Sequence, residues 1–238
     1  VEKYEEASQL YHTVGERQKE AECLSWIGVL SARLGDPRKA LGYLDQALAI
    51  TRATKDRGGE ATVLHNIGKA HLNLGEKQKA LEYFRQALPV FRDVQDRIGE
   101  ATTLHNVGSV YTALGEPQKA LEHYGQALAL FRAIGNRAGE AAMLARIGLV
   151  HFALGERRKA AKHYAQALAI YQALGDRKRR AAMLLLRWFL RCPLFMTAGA
   201  EGEHGASASG ASGSSKEGVL DVHRKHQPAE SEEGGTQS

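Results

Sequence analysis

Residues 61–100 read ATVLHNIGKAHLNLGEKQKALEYFRQALPVFRDVQDRIGE, and residues 101–140 read ATTLHNVGSVYTALGEPQKALEHYGQALALFRAIGNRAGE. The two stretches agree at 22 of 40 positions without a gap. The same unit begins at Ala21 (AECLSWIGVLSARLGDPRKA…) and at Ala141 (AAMLARIGLVHFALGERRKA…). Self-similarity at one fixed period of this length is the signature of a stacked array, in which each unit buries its apolar face against its neighbours.

Within a unit the spacing predicts two helices. Ala61, Leu64, Ile67, Gly68, His71 and Leu74 recur at helical intervals until Gly75 interrupts them. Ala80, Phe84, Ala87, Leu88 and Phe91 then form a second stripe. Leu-Gly marks the end of the first helix, because glycine enters the left-handed region without a Cβ penalty. Pro37 and Pro117 suit the first turn of the second, where a missing N–H costs nothing. Asp56, Asp96, Asn136 and Asp176 can cap the helix that follows each junction. Glu60, Glu100 and Glu140 lie in its first turn, where the helix dipole favours an anion.

Leu104, Val107-Gly108, Tyr111, Ala120, Tyr124 and Ala127 resemble the tetratricopeptide repeat, with Gly28, Gly68 and Gly148 at the close helix contact and Ala40, Ala80 and Ala160 opposite. The period of forty and the L-x-N-x-G and G-D-R-x-G-E-A signatures are similar to the longer subclass found in kinesin light chains, GoLoco-motif adaptors and bacterial multi-repeat proteins. The resemblance implies an all-α, right-handed α-α superhelix and the binding of a protein or peptide. Fold alone does not specify more.

The chain starts inside a unit: Tyr4 and Ala7 correspond to Phe84 and Ala87, so residues 1–16 read as the second helix of a preceding repeat. Units follow at 17–56, 57–96, 97–136 and 137–176. We read the chain as cut from a longer array, since a solenoid end needs a polar cap. After Asp176 the pattern fails. Arg180 replaces the first-turn glutamate and Trp188 the contact glycine, so residues 177–192 are expected to form a degenerate capping helix. Residues 193–238, rich in Gly, Ser and Glu, are expected to be a disordered tail because they offer too little apolar surface to offset ordering entropy. Val219 to Val222 is their single apolar cluster.

Composition narrows the function classes. The net charge of +5 is modest over 238 residues, and the basic second-helix segments carry interleaved glutamates rather than aromatics. They read as a solvated outer face and not as a nucleic-acid stripe. The run at 178–192 is short and broken by Arg187, Arg191 and Pro193, which argues against a membrane span. Cys23 and Cys192 are too distant in context for a disulfide or a metal set. His65 and His105 recur at one repeat position, but neighbouring helices stand about 8–10 Å apart, too far for a shared ion by default. His71 and His151 are read as replacing the packed tyrosine. No phosphate loop, zinc-peptidase motif or nucleophile elbow occurs. We expect a cytoplasmic, non-catalytic protein with no cofactor, no metal and no nucleic-acid, membrane or small-molecule partner.

The candidate site is the stripe that packing does not need. The resemblance places first helices on the concave surface. There Thr62, His65, Asn66, Lys69 and Asn73 fall on one helical face, with Thr102, His105, Asn106 and Ser109 at the matching positions of the next unit. Asn66 and Asn106 match the asparagine that the resembled families use on a peptide backbone. A primary amide both donates and accepts, so it suits that role. Trp26 and Arg146 occupy the equivalent positions in the flanking units, and Arg33 adds a further cation. The expected function is a scaffold holding an extended peptide or a partner helix. The alternatives are a regulatory array cut from a larger bacterial peptidase or NTPase fusion, a nucleic-acid binder, and an inert spacer.

Overall fold

The computed structural model describes the backbone of residues 1–191 and the side chains of residues 1–186. Expectations for the Trp188 side chain, Cys192 and the 193–238 tail lie outside those bounds. Among the described residues there are ten α-helices and no strand. They are α1 (Glu2–Thr13), α2 (Arg17–Arg33), α3 (Pro37–Ala53), α4 (Arg57–Asn73), α5 (Lys77–Asp93), α6 (Arg97–Ala113), α7 (Pro117–Ala133), α8 (Arg137–Ala153), α9 (Arg157–Ala173) and α10 (Arg177–Arg191). Each helix packs antiparallel on the next, as three-residue connections require, and the even-numbered helices are the first helices of their units. The result is an α-α solenoid.

The junctions follow from local chemistry. First helices end at leucine and turn through glycine, with φ of +92° at Gly35, +77° at Gly75 and +74° at Gly115. After second helices the same left-handed residue is Gly15, Gly135 or Gly175, but Lys55 and Gln95 adopt φ of 56° and 57° without being glycine. Asp56 and Asn136 accept from the N–H of Gly59 and Gly139 at 2.9 Å, and Asp96 does the same for Gly99. Asp176 accepts from Arg179 N–H at 3.0 Å. The four expected caps are all in place.

The first-turn glutamates do more than face the helix dipole. Arg92, from the preceding helix, and Arg97 both donate to Glu100, at 2.6 and 3.1 Å. Arg52 and Arg57 hold Glu60 in the same way, and Arg132 and Arg137 hold Glu140. Glu100 and Glu140 are buried. A buried carboxylate stripped of such partners is strongly destabilising, so the clamp binds consecutive units together. At the α9–α10 junction Gln172 and Arg180 replace the outer arginine and the glutamate, and no such clamp can form. There α10 is held instead by the buried Met183, while Leu184 and Leu185 stay exposed.

Helix pairs close on glycine. A Cβ at Gly108 would stand 2.6 Å from the Tyr124 ring, and one at Gly68 would meet Phe84 at the same distance. The partner of each glycine is therefore the large residue of the second helix; the alanines Ala40, Ala80 and Ala160 are fully buried alongside. His71 and His151 do take the tyrosine position: His71 stacks on Tyr83, Tyr111 on His123 and His151 on His163, at 5.2–5.3 Å between centroids. α5 continues through Pro89, which sits on its exposed side.

Candidate binding groove

Repetition places α2, α4 and α6 side by side, with α2 packed on α4 and α4 on α6. Between α2 and α4 lies an open groove of about 560 Å³. Its floor is Ala21, Ser25 and Val63, and its rim carries Trp26, Val29, Thr62, Asn66 and Lys69. Gln18, Glu22, Thr51, Asp56 and Gly59 close the end nearest the helix N-termini. Trp26 is 55% exposed although it is the largest side chain of the rim. Tryptophan is enriched among the residues that anchor protein interfaces.

Four of the twelve sequence-selected residues, Trp26, Thr62, Asn66 and Lys69, meet at this groove. The others are distributed differently. Asn66 donates from Nδ2 to Ser25 Oγ at 3.3 Å, and Asn106 Nδ2 lies 3.3 Å from His65 Nε2. His65 Nδ1 is 2.8 Å from Thr103 Oγ1. The asparagines thus join successive first helices, and His65, 8% exposed, is sealed between α4 and α6. Burial, with Lys69 nearby, lowers its pKa to about 3.

In the next unit Met143 and Arg146 replace Thr103 and Asn106, so His105 loses both counterparts and its buried Nε2 has no partner. Burial and the Arg146 charge lower the His105 pKa to about 4. Ser109 faces the seam with α7, where it accepts from the Tyr124 hydroxyl at 3.1 Å and donates to His105 O. Thr62 and Thr102 return their hydroxyls to the carbonyls of Gly58 and Ile98. Arg33, Asn73 and Arg146 are exposed.

The residues that close the groove's acidic end, Glu22 among them, lie outside the sequence-selected set. Asp56 reads in the sequence only as a cap, and the side-by-side packing of α2 and α4 brings it to one cavity with Gln18 and Glu22. A second, polar cavity of about 610 Å³ lies among α1, α2 and α3, where Tyr43 donates to Glu5 at 2.7 Å. Among the described residues no group of three or more His, Cys, Asp or Glu side chains could hold a metal ion, and Cys23 is buried and free. No described helix is long and apolar enough to cross a membrane.

The family model described as tetratricopeptide repeat matches residues 20–93 and 99–173. The chain is a tetratricopeptide repeat protein. No functionally curated protein matches it in sequence. Among solved structures, this tetratricopeptide array is similar to a signal transduction ATPase with numerous domains (STAND) from Pyrococcus horikoshii that has a tetratricopeptide repeat sensor. That match has a TM-score of 0.65 and 20% identity over 70% of this chain and 26% of that one. It is similar to BtubC from P. vanneervenii, with TM-score 0.63 and 20% identity over 90% and 94% of the two chains. It is also similar to a Rap protein complexed with Competence and Sporulation Factor, with TM-score 0.65 and 19% identity over 71% and 47%. The array thus spans about a quarter of the STAND protein and about half of that Rap protein. At these identities the likeness concerns the fold.

Proposed function

We propose that this protein is a non-catalytic interaction scaffold that holds an extended peptide or a partner helix on the concave face formed by its first helices. The observation that carries this reading is the α2–α4 groove, with the exposed Trp26 on its rim beside Asn66 and Lys69. Asn66 gives one N–H to Ser25 and keeps its carbonyl oxygen and second N–H for a peptide group. Trp26 offers a flat apolar surface to a ligand side chain. Arg33, Asn73 and Arg146 extend the polar surface along the same helices, while His65, His105 and Asn106 support it from within. Peptide binding by a similar array has a precedent in the Rap conjugation gene regulator of the plasmid pLS20, whose structure is a complex with the Phr* peptide. The likeness to a STAND protein's sensor supports a second reading, in which the array serves as the sensing segment of a larger switch protein through the same groove.

The test is a selection of random dodecapeptides displayed on phage against the full chain, followed by fluorescence polarisation with the wild type and Trp26→Ala. Trp26 is largely solvated, so its loss should leave thermal unfolding within about 0.5 kcal/mol of the wild type. Removing a central aromatic anchor should weaken binding by more than about 2 kcal/mol, roughly thirtyfold. Failure to enrich any peptide, or affinities that Trp26→Ala and Asn66→Ala leave intact, would reject the groove as a peptide site.

A further inference from the structure

The groove has opposite charge at its two ends. Asp56 caps α4 and Glu22 stands in the second turn of α2, whereas Lys69 stands toward the other end on α4. Among the described residues neither Glu22 nor Lys69 is engaged in an ion pair, whereas the Glu60 clamp, next to the groove-lining Gly59, is closed. Asp56 spends one oxygen on its cap and presents the rest of its carboxylate to the cavity. The two uncommitted charges therefore face the groove and not each other.

Their separation can be worked from the repeat. The Asn66–Ser25 hydrogen bond sets α2 and α4 side by side with corresponding residues level to within one position, so Glu22 lies level with about Thr62. From there to Lys69 is a rise of roughly 10 Å along the helix at 1.5 Å per residue. The two helices add a lateral offset of about 9 Å. The diagonal is therefore roughly 14 Å, about four residues of extended chain, and residues i and i+4 of such a chain point the same way.

Resting on the peptide-scaffold reading above, we infer that the groove selects an extended segment carrying a cationic and an anionic side chain four residues apart, with an apolar residue between them against Trp26. The cation pairs with Glu22, with Asp56 adding negative charge beyond it, and the anion pairs with Lys69. Either chain direction satisfies the pattern, so the order of the two charges sets the direction in which the segment lies.

Four synthetic nonapeptides with one shared neutral frame and a central leucine test this. Two carry Lys and Glu four residues apart, in either order; one carries two Lys and one two Glu at the same positions. Exposed ion pairs are worth a few-fold each, so exchanging an attraction for a repulsion should cost about tenfold. On the full chain both mixed peptides should bind about tenfold tighter than either like-charged one, and 0.5 M salt should shrink that margin. Lys69→Glu, a change at an exposed position, should make the two-lysine peptide the tightest of the four. Equal affinity of all four, still lost in Trp26→Ala, would overturn the charge assignment and leave the groove reading standing. No binding by any of them in a chain that phage selection also finds inert would overturn both.

Discussion

Replacing Gly108 with alanine probes the contact on which each unit depends. Alanine has the better helix propensity, by about 1 kcal/mol, so an unconstrained site would be stabilised. Here the new Cβ would stand 2.6 and 2.7 Å from the Cε1 and Cδ1 atoms of Tyr124 and 3.1 Å from Cζ. Tyr124 cannot swing clear: it is 2% exposed, and its hydroxyl donates to Ser109 and lies 3.3 Å from Thr112 Oγ1. Overpacking of this kind costs about 1–3 kcal/mol, and disturbing the hydroxyl contacts adds about 1 kcal/mol. Against the propensity gain, the expected net loss is about 2 kcal/mol. Gly125 is the internal control, because a Cβ there meets nothing within 4 Å, and Gly125→Ala should stabilise by up to about 1 kcal/mol. Urea unfolding followed by far-UV circular dichroism reads both, with an unchanged m-value showing that the cooperative unit is the same. A Gly108→Ala midpoint at or above that of Gly125→Ala would refute the argument that the glycine exists to seat the aromatic ring.

Two further outcomes follow from single residues. Pro89 leaves the Arg85 carbonyl without its helical N–H donor, so Pro89→Ala on the exposed side of α5 should stabilise the chain by about 2–3 kcal/mol in the same titration. His65 is depressed to about 3 in the folded chain against 6.5 when unfolded, so its contribution is complete above pH 6.5 and is lost as the pH falls from 6.5 toward 3. At pH 5 the loss should be on the order of 2 kcal/mol, and His65→Gln should flatten that part of the stability profile; an equally steep profile in the variant would place the titration elsewhere.

Periodicity made the fold legible because every unit repeats the same few decisions: leucine before glycine at Gly75, aspartate at the cap, glycine under an aromatic ring. What periodicity concealed were relations between units. Glu100 reads as a dipole partner in the sequence, yet its buried carboxylate is held by Arg92, eight residues back on another helix, as well as by Arg97. The candidate stripe follows from helical face and from the family resemblance, and neither tells a residue pointing into a groove from one pointing at the next helix. Thr62 and Lys69 reach the groove, whereas His65, on the same stripe, turns toward Thr103 and Asn106. Pro89 leaves no mark on the periodicity, because the apolar stripe of α5 continues past it undisturbed. The positions where the repeat changes its residue, Trp26 for Asn66 and Arg146 for Asn106, are where the surface ceases to be generic.

The arginine–glutamate clamp also bears on how such a chain grows. Each clamp draws on the end of one helix and the first turn of the next, and Arg52, Arg92 and Arg132 are interchangeable in that role, as are Glu60, Glu100 and Glu140. A forty-residue segment excised or duplicated in register brings a cognate arginine to a cognate glutamate at the new joint. Unequal crossing-over among these copies would therefore give a product whose new joint carries the same clamp, and the number of clamped units could drift without losing it. The contour length of the array is in this sense an inherited variable, set by recombination, and the amino acids that diverge between copies write the binding surface onto it.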